Sequence, residues 1–271
     1  MTERIGLIGW PLDDAVSEAM HNLVFQVLNM HYEYDLLPTP PDQFEAGVQA
    51  ALDEGYVGLS ITSPYKRRAL DLPQISQIEQ DVAAVGAVDT LTRLRDGSLR
   101  ASNTDWRGFG DDIVSRSIVV RGADCLILGT GGASRAVAYA LAQRGAASIT
   151  WVSRDGAGMP DAISYDELTG IKADLIVNAT PVGGAPNVDE SPWPTGISFP
   201  TGATVYDLIY NPAETRLMKQ AKQAGLLAFG GLGMLVRQAA MSVTLWTGKG
   251  PPLGVMFDAA RSALDHDAAA T

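Results

Sequence analysis

The chain has 271 residues, of which 46% are hydrophobic, and this length and composition suit a soluble protein with one large domain or two modest ones. Lysine and arginine number 20 against 31 acids, which gives a formal charge of −11. This excess of acid argues against nucleic acid binding, because no basic cluster offsets it. No apolar run approaches the roughly 20 residues of a membrane span, and the N-terminus lacks a signal-peptide pattern, so a cytoplasmic protein without membrane attachment is expected.

Strand-like and helical patterns alternate through most of the chain. In chain order, strand-like runs at 4–10, 31–37 and 56–62 are each followed by a helical pattern. The alternation returns with the strand-like segments ADCLILG (123–129) and ASITWVS (147–153), which flank a long helical pattern. The order predicts an α/β protein built from parallel βαβ units, and it argues against a sandwich or a helical bundle.

A hairpin signal interrupts this alternation, because Asp96-Gly97 lies between two alternating segments. We interpret it as the seam between two α/β domains. The first domain is predicted to cover 1–104 and to be completed by the C-terminal helices of 236–271. The second is predicted to cover 105–235 and to be Rossmann-like.

A glycine-rich turn joins a predicted strand to a predicted helix in LILGTGGASRAVAYAL (126–141). Gly129, Gly131 and Gly132 have no Cβ, so the backbone N–H groups and the positive helix N-terminus can approach a pyrophosphate. The spacing departs from the usual G-x-G-x-x-G, because the third position is Ser134. Dinucleotide binding is favoured by the strand–turn–helix context. A turn needed only for close packing is the alternative.

Ser153, Arg154 and Asp155 lie at the end of the next predicted strand. Folds of this kind place there the residue that contacts the adenosine ribose. Arg154 suits a 2′-phosphate and can stack on adenine, which favours NADP, although NAD stays open. The negative charge of Asp155 would repel a 2′-phosphate at the same place. The alternative for Arg154 is an ordinary solvated surface position.

Lys66 and Asp105 each follow a strand-like run, so in a parallel sheet both emerge at the carboxyl edge, where ligands bind. A lysine beside a carboxylate can exchange a proton with a substrate hydroxyl while a hydride leaves for the cofactor. The alternative is a capping lysine and an aspartate that opens a helix.

An ordered set of motifs resembles the shikimate dehydrogenase family over nearly the whole chain. The resemblance implies a substrate domain completed by C-terminal helices, a Rossmann-like NADP domain, and a catalytic pair that corresponds to Lys66 and Asp105. The motifs are GWPLDDAVSEAMHN (9–22), ITSPYK (61–66), GAVDTL (86–91), NTDWRGF (103–109), GTGGASR (129–135), NATPVG (178–183), YDLIYNPAET (206–215) and GLGMLVRQAA (231–240).

The resemblance also implies substrate and cofactor contacts, with ordinary packing as the alternative for small and apolar residues. Expected substrate contacts are Ser17, Ser60, Thr62, Asp89, Tyr210 and Gln238. Expected cofactor contacts are Gly129, Gly131, Gly132, Ala133, Ser134, Ser153, Arg154, Asp155, Thr180, Val182, Leu208, Gly231 and Met234. His21 is predicted to be a structural hydrogen-bonding residue, and no metal site is expected.

Three positions depart from the family pattern. Ala15 replaces the first serine of a Ser-x-Ser pair, Ser60 replaces an asparagine, and Asp89 replaces the asparagine of the usual GAVNTL. The leading hypothesis is an NAD(P)-dependent dehydrogenase for a shikimate-like cyclic hydroxy acid, acting as a monomer or homodimer. Quinate or an amino-substituted analogue as substrate, a non-catalytic NAD(P)-binding relative, and a transferase are the alternatives. Asp89 either meets the substrate or pairs with Lys66 and tunes it.

Overall fold

A computed structural model describes residues 2–12, 15–154, 159 and 161–270; of Ala15 and residues 266–270 it describes the backbone only. Asp155, which is among the predicted cofactor contacts, lies outside the described residues. The chain divides into two compact units, Met1–Gly108 with Val236–Thr271, and Phe109–Leu235.

The first unit is built on a mixed six-stranded sheet. Its strands are β1 (Glu3–Gly9), β2 (Tyr32–Pro38), β3 (Tyr56–Ile61), β4 (Ile75–Ile78), β5 (Thr90–Arg93) and β6 (Leu99–Ser102). They lie in the order β2-β1-β3-β5-β6-β4. β1 is parallel to β2 and β3, whereas β5 runs antiparallel to β3 and β6. The predicted hairpin around Asp96-Gly97 is the β5–β6 connection, and Gly97 adopts a positive φ of 87° there.

The first unit also contains helices. They are α1 (Ala15–Val27), α2 (Phe44–Asp53), α3 (Gln80–Val85), the start of α4 (Asp105–Ser115), and, after the second unit, the end of α7 (Leu232–Thr247) and α8 (Leu253–Ala270). α2 shows why the sequence folds this way. Phe44, Val48, Ala51 and Leu52 are buried and recur at helical spacing, so one face of the helix packs onto the sheet.

The second unit is a six-stranded sheet in which every neighbouring pair is parallel. The strands are β7 (Asp124–Leu128), β8 (Ser148–Ser153), β9 (Ile163–Ser164), β10 (Leu175–Asn178), β11 (Thr204–Asp207) and β12 (Leu227–Gly230), and the helices that lie wholly within the unit are α5 (Gly132–Gln143) and α6 (Arg216–Gln223). The strand order is β12-β11-β10-β7-β8-β9. This arrangement confirms the predicted α/β fold with a Rossmann-like domain.

Cys125 lies on central strand β7 and is buried, as its apolar surroundings predict. Burial, together with the charges of Asp174 and Asp124, raises the pKa of its thiol to about 12, so the thiol stays protonated and unreactive. Among the described residues, no group of three or more His, Cys, Asp and Glu side chains is arranged to hold a metal ion. Within the same residues, no helix combines the length and apolar character of a membrane span.

Candidate active site

Lys66 and Asp105 form a partly buried ion pair in the first unit. Lys66 lies in the turn that follows β3, and Asp105 is the first residue of α4. The Lys66 Nζ is 2.5 Å from Oδ2 of Asp105, and the two side chains are 17% and 5% exposed. The structure therefore brings together two residues that are 39 positions apart in the sequence. Such a pair holds a proton donor at a fixed place at the edge of the sheet.

Two carboxylates act on Lys66. Burial by itself lowers the pKa of Lys66, but the nearby charges of Asp105 and Asp89 and the hydrogen bond to Asp105 outweigh it, so the pKa is raised overall. Lys66 is therefore protonated at neutral pH. It can donate a proton to a carbonyl oxygen, and it accepts one from a hydroxyl only after losing its own.

Asp89 lies just before β5 and is the third charged member of this cluster. Its carboxylate accepts hydrogen bonds from the backbone N–H groups of Thr104 and Asp105, at 2.8 and 2.7 Å from Oδ2. Burial and the charge of Asp105 raise the pKa of Asp89 to about 6, whereas Lys66 and the hydrogen bonds from Thr104 and Thr90 oppose the rise. An acceptor at the first turn of α4 satisfies N–H groups that have no partner within the helix.

Further side chains that hold the start of α4 were missed by the sequence analysis. Asn103 accepts a hydrogen bond from the backbone N–H of Trp106 (3.3 Å) and donates one to the carbonyl of Ala87 (3.0 Å). The Trp106 indole donates to Oδ2 of Asp81, which lies in α3, at 2.8 Å. The motif NTDWRGF contained this signal, but only Asp105 was singled out in it.

A second group of side chains links α1, β2 and β3. The Nδ1 of His21 donates to the carbonyl of Ser17 (2.7 Å), and the His21 ring stacks on Tyr34 with centroids 4.0 Å apart. The Tyr34 hydroxyl donates to Oγ of Ser60 (2.9 Å). Burial lowers the pKa of His21 to about 4, against the effect of the Ser17 bond, so this histidine is neutral and has the structural role predicted for it.

The other predicted substrate residues lie in both units. Thr62 follows β3, and its backbone N–H donates to the carbonyl of Ile8 (2.9 Å). Gln238 lies on α7, and its Oε1 is 3.3 Å from the hydroxyl oxygen of Thr104. Tyr210 follows β11 in the second unit. Thus Ser60 contacts the group around His21, and Gln238 contacts Thr104, which also contacts Asp89.

The predicted cofactor residues share one edge of the second sheet. Five neighbouring parallel strands end there, so the loops that follow them lie side by side. β7 is followed by Gly129, Gly131, Gly132, Ala133 and Ser134. β8 ends at Ser153 and is followed by Arg154. β10 is followed by Thr180 and Val182, β11 by Leu208, and β12 by Gly231 and Met234.

The glycine-rich turn fits the diphosphate of a dinucleotide. Gly129 has a φ of 104°, which favours glycine. Gly131 has a φ of −78°, which any residue adopts, and a Cβ built on it meets no atom within 4 Å. Neither packing nor backbone conformation therefore requires glycine at 131. A phosphate group against the N-terminus of α5 would require it, because a methyl group would occupy the space in front of the N–H groups.

Several of these residues also close their own loops. Ser134 is fully buried, and its hydroxyl donates to the carbonyl of Gly131 (2.7 Å). The Thr180 hydroxyl donates to Oδ1 of Asn178 (2.7 Å). A Cβ on Gly231 falls 2.0 Å from the carbonyl oxygen of Leu208, so glycine at 231 is required by close packing. These contacts fix the shape of the loops around the predicted cofactor site.

Arg154 is exposed directly after β8, next to the strand that carries the glycine-rich turn. Its charge acts on Tyr165: burial raises the pKa of that phenol, and Arg154 opposes the rise. Its place in the sheet matches the position expected for a ribose contact.

The sequence matches two domain models of one family, the shikimate dehydrogenase substrate binding domain over residues 7–91 and the shikimate 5′-dehydrogenase C-terminal domain over residues 231–261. It is also 38% identical to the shikimate dehydrogenase (NADP(+)) of Methanopyrus kandleri, with 95% of this chain and 94% of that protein covered. The chain belongs to the shikimate dehydrogenase family.

Solved structures of shikimate dehydrogenases have the same fold. A chorismate mutase/shikimate 5-dehydrogenase fusion protein from Clostridium acetobutylicum superposes with a TM-score of 0.86 at 32% identity, over 98% of both chains. The shikimate 5-dehydrogenase of Thermus thermophilus, in complex with NADP(H) and shikimate, gives a TM-score of 0.86 at 31% identity, over 97% of this chain and 100% of that one. The expectation drawn from the motifs is therefore confirmed at the level of family and fold.

Proposed function

We propose that this chain interconverts shikimate and 3-dehydroshikimate with NADP(H), using Lys66 and Asp105 as the acid–base pair. The observation that carries the proposal is the partly buried 2.5 Å contact between Lys66 Nζ and Asp105 Oδ2 in a member of this family. The Methanopyrus kandleri relative is named for shikimate and NADP(+), and the Thermus thermophilus enzyme was solved with NADP(H) and shikimate. Both favour this reaction over quinate, an amino-substituted analogue, a non-catalytic role or a transferase.

In the direction of oxidation, the hydroxyl proton of the substrate passes to a neutral Lys66 Nζ while the carbinol carbon loses a hydride. A bound NADP+ would supply the hydride acceptor. Asp105 holds the lysine in place and stabilises the ammonium that forms. In the direction of reduction, protonated Lys66 donates to the carbonyl oxygen. Because the pKa of Lys66 is raised, we expect oxidation to accelerate with increasing pH and reduction to proceed at neutral pH.

The two units bind different molecules, the first the substrate and the second the cofactor. The first unit binds the substrate through Ser17, Ser60, Thr62 and Gln238, and the predicted contact Tyr210 belongs to the second unit. In the second unit, the glycine-rich turn would hold the diphosphate of the cofactor, and Arg154 would pair with its 2′-phosphate. The remaining predicted contacts, at Thr180, Val182, Leu208, Gly231 and Met234, shape the loops around the cofactor. The protein works as a monomer or homodimer, which light scattering after size exclusion determines.

The test is an absorbance assay at 340 nm with shikimate and quinate, each with NADP+ and NAD+. We expect turnover with shikimate and NADP+, and a preference for NADP+ over NAD+. No turnover with shikimate, at concentrations where a relative is saturated, would refute the proposal.

An Ala15→Ser variant in the same assay tests the missing serine. A hydroxyl donor to the substrate carboxylate is worth about 1.5–3 kcal/mol, so KM for shikimate is expected to fall about tenfold or more. An unchanged KM would show that position 15 does not limit substrate binding.

A further inference from the structure

The carboxylate of Asp89 is fully engaged by the protein. Oδ1 accepts from the Thr90 hydroxyl (2.7 Å), the Thr104 N–H (2.9 Å) and the Thr104 hydroxyl (3.1 Å). Oδ2 accepts from the N–H groups of Thr104 (2.8 Å) and Asp105 (2.7 Å). An ionised carboxylate offers about four acceptor sites, and these donors occupy them. Asp89 is also only 4% exposed, so a substrate hydroxyl has to displace an existing donor to reach it.

The backbone next to Asp89 is hydrogen-bonded to the backbone of Lys66, the partner of Asp105 in the ion pair. The N–H of Val88 donates to the carbonyl of Lys66 (2.7 Å), and the N–H of Ile61 donates to the carbonyl of Asp89 (2.7 Å). Residues 88 and 89 therefore bind the main chain of Lys66 on one side and the main chain of Asp105 on the other. The two partners of the ion pair are both attached to this short segment.

We propose that Asp89 is a positioning residue for the Lys66–Asp105 pair: it anchors the first turn of α4, so that Asp105 meets Lys66, and its negative charge keeps Lys66 protonated. The inference rests on the proposed function only where turnover is measured. It differs from the expectation that Asp89 contacts the substrate.

Charge supports the second part of the inference. In the described residues, the charged groups that act on Lys66 are Asp105, from α4, and Asp89, from the segment before β5. Those that act on Asp89 are Asp105 and Lys66. When both acids are ionised, one cation faces two anions. Removing one of the anions makes it easier for Lys66 to lose its proton.

Asp89→Asn tests the charge. The new amide keeps an oxygen for the N–H groups of Thr104 and Asp105, and its NH2 can donate to the hydroxyls of Thr90 and Thr104, which are able to reverse their direction. Asparagine is also the residue of the usual family motif, so folding is expected. The Lys66 ionisation should move to lower pH by about one unit, the lower end of the effect of a nearby charge.

That ionisation is measured without substrate. The rate at which acetic anhydride modifies Lys66 is followed across pH by mass spectrometry, so the result stands even if shikimate turns out not to be the substrate. The pH profile of kcat in shikimate oxidation should shift in the same direction. Asp71→Asn, at an exposed carboxylate of the same unit, is the control. It should change neither the Lys66 labelling profile nor the pH profile of kcat.

Asp89→Ala tests the anchoring. With no acceptor for the first turn of α4, kcat should fall tenfold or more while the Kd for NADPH stays within twofold, and Asp89→Asn should restore most of kcat. An unchanged Lys66 ionisation in Asp89→Asn would overturn the inference. A higher KM for shikimate with an unchanged ionisation would identify Asp89 as a substrate ligand instead. If Asp89→Ala does not fold, the pH dependence of Lys66 labelling in Asp89→Asn tests the inference by itself.

Discussion

The side-chain amide of Asn178 donates a hydrogen bond of 2.8 Å to Oδ1 of Asp207, and neither residue has any exposed surface. The two residues end β10 and β11 and are direct partners in the parallel register. The other Asp207 oxygen accepts from the Thr215 hydroxyl (2.6 Å), and Asn178 Oδ1 holds the N–H of Thr180 (3.0 Å). A buried polar pair therefore fixes two of the loops that carry the predicted cofactor contacts.

Asp207 should make stability depend on pH. Burial raises its pKa from 3.8 to about 6, against the hydrogen bonds from Thr215, Ile209 and Asn178. Below pH 3.8 the carboxyl is protonated in both the folded and the unfolded chain. Between 3.8 and about 6 the folded chain holds the proton more tightly, so the contribution of this group to stability falls as pH rises through that window. A difference of about two pH units corresponds to about 3 kcal/mol.

Asp207→Asn removes this ionisation and keeps an acceptor for Asn178. Its new NH2 group can donate to the Thr215 hydroxyl, which then accepts a hydrogen bond instead of donating one. Urea unfolding of both proteins should show the variant gaining about 3 kcal/mol relative to wild type between pH 4 and pH 7. A free-energy difference that is constant across that range would show that Asp207 does not titrate there.

Lys66→Ala should lower kcat by about two to four orders of magnitude, which is the usual contribution of a positioned acid or base, and leave the Kd for NADPH nearly unchanged. Lys249→Ala is the matched control, because Lys249 is an exposed lysine of the same unit. Steady-state assays and fluorescence titration give the two quantities. Near-normal turnover in the Lys66 variant would remove this residue from the mechanism.

Gly131→Ala should weaken NADPH binding tenfold or more without lowering the melting temperature. The added methyl meets no protein atom, so only the approach of the ligand is obstructed. Gly254→Ala, at another position with open space around the Cβ, should leave binding intact. Normal NADPH affinity in the Gly131 variant would mean that the phosphates do not approach this turn.

Arg154→Ala should weaken NADP(H) about 10- to 100-fold more than NAD(H), because a hydrogen bond to a charged phosphate contributes about 1.5–3 kcal/mol. Titration of both cofactors measures this. Arg121→Ala is the control, since Arg121 is an exposed arginine of the same unit that precedes β7, at the opposite edge of the sheet. Equal losses for both cofactors would show that Arg154 stacks on adenine and does not recognise the phosphate.

The α/β fold, the hairpin and the family could be predicted from the sequence, because they depend on local signals. Alternation of strand-like and helical patterns, the Asp96-Gly97 turn and the order of the motifs are all readable along the chain. The carboxyl-edge rule then places Lys66 and Asp105 on the same side of a sheet without any coordinates.

The hydrogen bonds around Lys66 and Asp105 could not be predicted from local sequence signals. Asp89 was expected to contact the substrate or to pair with Lys66. The sequence did not indicate its hydrogen-bond donors, which are Thr90 next to it and Thr104 and Asp105, 15 and 16 residues away. Asn178 and Asp207 are 29 residues apart and meet because β10 and β11 pair in register. A hydrogen-bond partner depends on which strands become neighbours and on their register, and packing of the whole sheet determines both.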